Sequence, residues 1–318
     1  MQRLAEIVLG ICFVSVIPII LLKIREKESY GWNLLKEKGY YLYELTILNA
    51  VIFFLFYQNT EIILGTIIGS SLFRLLIIGG VQKLLVSKGK RLMKGQYLVF
   101  CMILVLFLAA DYLFAGKTVV NCINQIDGLL LVFIFLLYLY MVYGKRWMGE
   151  YRKKRPGQVE GHVNDISQED INILKKYDIK SVILKYICLE LSILAGMYLL
   201  TKDIPILGGM YGISQYQLGI TVVSWCVNLG GIYISLFDQK TECFLENTME
   251  EIIICITLLL GIAALIHPIL ISQLTIYDLI IFSIIALLMQ FIEKISNRFG
   301  GSAMVTVYLG FVLFVCVR

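Results

Sequence analysis

Apolar runs of about twenty residues recur along the whole chain, and no other feature restricts its fold so strongly. A helix of about 20 apolar residues crosses a bilayer core roughly 30 Å thick. Inside that core a segment must satisfy its own backbone hydrogen bonds, so each run reads as a helix. The runs cover 4–23, 40–58, 61–85, 97–115, 127–144, 180–201, 216–237, 247–271, 274–293 and 302–317. Of the 318 residues 59% are hydrophobic and only 16% are charged, whereas a soluble domain carries about 25% charged residues. The expected class is therefore an all-α polytopic membrane protein with about ten transmembrane helices. The apolar stretch near the N-terminus lacks a small-residue cleavage site and reads as the first span rather than a signal peptide.

Charge placement orients these spans. Basic residues collect in alternate breaks, including Lys88, Lys90, Arg91 and Lys94, and the run Arg152, Lys153, Lys154 and Arg155. Cytoplasmic loops carry the excess of Lys and Arg. With both termini outside, 22 of 28 basic residues become cytoplasmic. Only Arg3, Lys117, Lys202 and Arg318 then lie outside, and Arg74 and Lys185 lie within spans. Topology thus accounts for the net charge of +5, and a nucleic-acid partner is not expected. The expected partners are the lipid bilayer of the plasma membrane and a small inorganic cation.

Three units follow: a first five-span half over 1–144, a basic cytoplasmic linker over 145–179, and a second five-span half over 180–318. Within the linker, Ser167 followed by Asp170 resembles a capping box and predicts one short helix. Segments five spans apart look alike. "IDGLLLVFIFLLYLYMVYG" and "RFGGSAMVTVYLGFVLFV" each set a polar residue before glycine and continue into aromatic helix. An odd number of spans per half inverts the second half relative to the first. Such inverted repeats are characteristic of secondary transporters with a midplane site.

Further residues carry a resemblance. The stretch "YGISQYQLGITVVSWCVNLGGIYIS" over 211–235 is similar to the second alpha-repeat of the sodium/calcium exchanger superfamily. "LGTIIGSSLFRLLIIGG" over 64–80 is similar to the first repeat. The resemblance implies ten spans in two inverted repeats and alternating-access cation antiport. It also implies a central pair of glutamates, one per repeat, in "GTSLPEL" motifs. Here the first motif reads "GYYLYEL", retaining Glu44 with Tyr40, Tyr41 and Tyr43 in place of small residues and proline. In the second, "CVNLGGI", the glutamate position is Gly231, the proline Gly230 and the serine Asn228. The helix-kinking proline is absent from both. In the third span Ser71 and Arg74 replace asparagines, and Ser70 lies beside them. Glu250 and Glu251 fall at the matching place in the eighth.

An ionisable residue inside a span costs about 2.5–3.5 kcal/mol on insertion scales and asks for a partner or a role. Glu44, Arg74, Asp111, Lys185, Glu190, Glu250 and Glu251 are such residues. Asp111 and Lys185 fit span ends. A hard divalent cation wants six or more oxygens, several of them anionic, so Gly231 and Arg74 count against ordinary calcium binding. Two arrangements stand open: Arg74 pairs with Glu44 in the charge role of an ion, or Glu44 with Glu250 or Glu251 rebuilds a shifted site. Glu250 and Glu251 also fit a cytoplasmic mouth, because Glu242, Glu246 and Glu250 share one helix face.

The expected ion pathway comprises Glu44, Ser70, Ser71, Arg74, Asn228, Gly231, Glu250 and Glu251, with Glu44 and Glu251 as metal ligands. The expected function is cation antiport of Na+, Ca2+ or H+ through an atypical site, without a cofactor. The alternative is a non-transporting membrane protein that keeps the exchanger fold. An enzyme is not expected, since His162 and His267 fall in loops and no nucleophile–base or metal cluster is present.

Overall fold

The structure, a computed structural model, describes residues 2–18, 20, 46–85, 98–101, 103, 122–144, 179–229, 244–292 and 297–317. The described chain is helical almost throughout. Helix α1 is Gln2–Ile11, continued by a π-helical turn Cys12–Val16. Helix α2 is Thr46–Phe56 and α3 is Thr60–Leu85. Helix α4 is Gln125–Leu139, α5 is Ile179–Tyr211, and α6 starts as Gln215–Leu218 and runs on to residue 229. Helix α7 starts at Phe244 and ends at Ile266, α8 is Gln273–Ile292 and α9 is Asn297–Val317. Four of these pass as long, apolar, membrane-crossing helices: Thr60–Leu85, Gln125–Val142, Thr248–Ile266 and Arg298–Val317.

Several boundaries have local causes. Asn124 caps α4, its backbone N–H donating to Asp127 Oδ2 at 2.8 Å. Ser214 caps α6, its Oγ accepting from the Gln217 backbone N–H at 3.1 Å. Each box satisfies orphan amides at the start of a helix. Between α2 and α3 the chain reverses with Gln58 at φ 57°. The sixth span, expected over 180–201, is part of a longer helix that reaches Tyr211 with Pro205 inside it. A proline removes one i→i−4 bond but does not by itself end a helix. The eighth span, expected to reach 271, stops at Ile266 instead. Pro268 follows, and the residue before a proline is driven out of the helical region: His267 sits at φ −137° and ψ 131°.

That extended stretch adds, among the described residues, the one feature outside the all-α reading. Strand β1, Cys122–Ile123, pairs antiparallel with β2, Ile269–Leu270, with Ile123 opposite Ile269. The pairing supplies the backbone hydrogen bonds that the chain leaves unmade where the helix stops.

Helix α3 is the axis of the molecule, with 94% of its apolar window buried. It crosses α6 at backbone contact. A Cβ on Gly65 would lie 2.3 Å from the Tyr216 carbonyl oxygen, and one on Gly219 would lie 2.5 Å from that of Ile62. Small residues let membrane helices approach this closely. Further along, Gly80 of α3 meets Gly301 of α9, and Gly261 of α7 meets Gly128 of α4. Helix α1 lies antiparallel along α5: Ser192 Oγ donates to the Phe13 carbonyl at 2.7 Å, and Gly196 packs on Gly10. Gly65, Gly69 and Gly219 thus serve as packing points. Gly230 and Gly231 lie outside the described residues.

Candidate functional site

Five of the described helices contain a π-helical turn, and two of these turns belong to α3 and α7, at Phe73–Ile78 and Ile254–Leu259. Such turns rotate a helix locally and cluster at functional sites. Arg74 stands in the α3 turn and is 2% exposed. Its Nη1 donates to Glu251 Oε2 of α7 at 2.5 Å, and its Nε donates to Asn228 Oδ1 of α6 at 2.8 Å. The Asn228 amide is held the right way round for this. Its Nδ2 donates to the Ser224 carbonyl at 2.7 Å, leaving Oδ1 for a guanidinium that only donates. Arg74 therefore joins the first half of the chain to two helices of the second.

Above Arg74, α3 carries a polar stripe. Thr66, Ser70 and Arg74 are four residues apart, so they share one face. Ser71 is adjacent. All four are buried, and Thr66 Oγ1, Ser70 Oγ, Ser71 Oγ and Arg74 Nη2 have no hydrogen-bond partner among the described residues. Hydroxyls elsewhere in the bundle bond back to their own helix: Thr257 donates to the Ile253 carbonyl at 2.6 Å, Thr201 to that of Met197 at 2.7 Å, and Thr221 to that of Gln217 at 2.7 Å. A buried polar group left without a partner costs about 1–3 kcal/mol.

An aromatic cluster closes over the same turn. The rings of Phe73 and Tyr308 meet edge-on at 5.5 Å, those of Phe73 and Trp225 at 5.8 Å. This cluster was not expected from the sequence. Its only signal is one aromatic on each of three spans, and nothing in their spacing shows that they converge.

Of the expected pathway residues, Arg74, Asn228 and Glu251 come into direct contact, with Ser70 and Ser71 on the Arg74 helix. Glu250, next to Glu251, is half-buried. Glu44 and Gly231 lie outside the described residues, as do Tyr40, Tyr41, Tyr43, Asp111 and Glu242, so the Arg74–Glu44 pairing falls outside them too. The partner the structure gives Arg74 is Glu251. Of the two expected metal ligands, Glu251 is thus engaged by Arg74. Among the described residues, no three His, Cys, Asp or Glu side chains converge in a way that could hold a metal ion.

Glu190, another charge within a span, also has a partner. Its Oε1 accepts from Asn49 Nδ2 of α2 at 2.6 Å, while its Oε2 is buried with no partner among the described residues. The side chain of Lys185 lies outside them.

Relatives bear on this geometry. Residues 44–144 match the sequence pattern of the family Sodium/calcium exchanger protein. Among curated proteins, none matches the chain in sequence. In three dimensions the chain is similar to the Ca2+/H+ antiporter protein YfkE at a TM-score of 0.68 and 15% identity, covering 98% of this chain and 93% of that one. It is also similar to the sodium-calcium exchanger NCX_Mj at a TM-score of 0.53 and 18% identity, covering 96% of each chain. Residues 44–144 thus carry the sequence pattern of the family Sodium/calcium exchanger protein, and the fold along the chain is similar to that of these solved antiporters and exchangers.

Proposed function

We propose that the chain is a multi-pass cation antiporter working by alternating access, in which Arg74 is a tethered cation that competes with the transported one for Glu251. The observation that carries this reading is the buried Arg74 guanidinium bridging Asn228 and Glu251 across the two halves. The stripe Thr66, Ser70 and Ser71 supplies oxygens buried without partners among the described residues, and such oxygens suit a desolvated cation. Release of Arg74 from Glu251 frees a carboxylate oxygen beside them. Glu44 and Glu250 complete the proposed pathway, with the backbone at Gly231 where a second carboxylate would otherwise stand.

The charge sum selects the substrate. Arg74 cancels one of the three carboxylates Glu44, Glu250 and Glu251, and Gly231 supplies none, so the site offers a divalent ion less negative charge than it would without the arginine. A monovalent cation or a proton fits better than Ca2+. Ten spans in two inverted halves, both termini outside and the 145–179 loop in the cytoplasm remain part of this proposal. The paired crossings support the inversion: α3 on α9 through Gly80 and Gly301, and α7 on α4 through Gly261 and Gly128. These are the contacts that an exchange of the halves interconverts.

A second reading rests on the same bridge. A salt bridge spanning the halves can also act as a permanent brace, which fits a non-transporting protein that keeps the exchanger fold. Purified protein in liposomes decides between the two under imposed Na+, Ca2+ and pH gradients. Antiport predicts Na+- or H+-driven flux that Glu251→Gln abolishes. Absence of flux under every gradient sinks the antiport reading and leaves the brace.

A further inference from the structure

A second group of charges lies at the N-terminal end of α1, well apart along that helix from its packing against Ser192. Helices α1 and α5 run antiparallel, with contacts stepping from Phe13 and Ser192 to Gly10 and Gly196 and then to Glu6 and the Lys202–Asp203 pair. A cavity of about 670 Å³ opens there, lined by Arg3, Glu6, Lys202, Asp203, Met210 and Tyr211 among others. Lys202 Nζ stands 3.7 Å from Glu6 Oε2 and is half exposed. Asp203 is different: it is 1% exposed, it faces this cavity, and its Oδ2 has no hydrogen-bond partner among the described residues. Glu6 lines the same cavity, so a second carboxyl shares its wall.

Two carboxylates cannot donate to each other, because an ionised carboxyl only accepts. A buried carboxyl oxygen without a donor, in a cavity wall shared with a second carboxyl, is satisfied by one proton on the pair. We propose that Glu6 and Asp203 hold a single shared proton, making this cavity a proton-binding site separate from the Arg74 bridge. The site stands whether or not the chain transports a cation.

The surroundings of Asp203 agree with the geometry. Asp203 lies beyond the expected end of the sixth span at 201. Its burial, then the hydrogen bond and negative charge of Glu6, raise its pKa above the ordinary 3.8, while Lys202 and Arg3 oppose the rise. Arg3 and Glu6 from α1, and Lys202 and Tyr211 from α5, are the titratable and charged groups that line the cavity beside it. A carboxyl whose pKa is higher in the folded state binds its proton more tightly there than in the unfolded chain. The stabilisation is therefore complete below the unfolded value and is lost as pH rises through the folded one.

Thermal unfolding of the full-length protein in detergent, measured across pH, tests this. The wild type is expected to lose Tm as pH rises above the ordinary aspartate range. Asp203→Asn keeps a neutral hydrogen-bonding group in place, so it should hold the low-pH Tm and lose that slope. Glu6→Gln should lose the slope likewise, which keeps the test open if either variant folds poorly. Infrared spectra recorded across the same pH range should show a protonated-carboxyl band that persists above the ordinary aspartate range and disappears in Asp203→Asn, a change that a merely structural role would not produce. A wild-type Tm without the slope, a slope surviving in both variants, or a band that persists in Asp203→Asn would overturn the assignment.

Discussion

The most apolar windows of helices α3 and α4 share a mean hydropathy of 2.1, yet 94% of the first is buried inside the protein and 22% of the second. Hydropathy measures how readily a segment leaves water for the bilayer. It does not distinguish contact with other helices from contact with lipid. The difference lies in side-chain size. Helix α3 has Gly65, Gly69, Ser70 and Ser71 near its middle, and these let α6 approach at backbone distance. Helix α4 presents Leu129, Phe133 and Leu136, all exposed, on its outer surface. In lipid there is no hydrophobic drive between helices, so close packing and polar contacts decide which helix is central. Helix α3 has both, and Arg74 sits where they meet.

Four substitutions sharpen this contrast. The largest effect is expected from Glu251→Gln, which leaves the Arg74 charge buried without its counter-charge. Removing one partner of a buried pair costs about 3–5 kcal/mol, read as a fall in unfolding free energy in detergent. A smaller loss follows from Gly65→Ala. Its methyl group meets the Tyr216 carbonyl, and overpacking costs about 1–3 kcal/mol, whereas Gly310→Ala on α9 meets nothing within 4 Å and should be tolerated. The smallest is expected from Leu129→Ala on the exposed face of α4, within about 0.5 kcal/mol of wild type, as for substitutions away from packed features. Equal losses from Gly65→Ala and Leu129→Ala would break the distinction between central and peripheral helices.

Much of this arrangement was legible in the sequence, and the illegible parts have physical reasons. The spans could be read because a bilayer demands long apolar runs, and four described helices meet that demand in length and composition. The end of span 8 was misplaced because His267 and Pro268 sit in an otherwise apolar stretch, and the strand pairing with Cys122 and Ile123 joins segments far apart in the chain. The extension of α5 past Pro205 was missed because its polar residues read as a span end, although they face α1 and the cavity. Arg74 and its need for a partner were plain from the sequence. Its partners were not, since the resemblance pointed to Glu44 and the π-helical turns that shift register in α3 and α7 leave no periodic trace. The Glu6–Asp203 pair escaped for a related reason: each residue, alone, looks like an ordinary charge near a helix end.

The central claim is that Arg74 is held by Glu251 across the two halves, and a double-mutant cycle tests it most directly. Unfolding free energies of Arg74→Met, Glu251→Leu and the double variant give the coupling between the two side chains. Contacting residues couple by about 0.5–3 kcal/mol, and replacing a buried pair by apolar residues is often neutral. The account predicts that each single variant is strongly destabilised and that the double variant recovers most of the loss. Additive losses, with no coupling between positions 74 and 251, would contradict it.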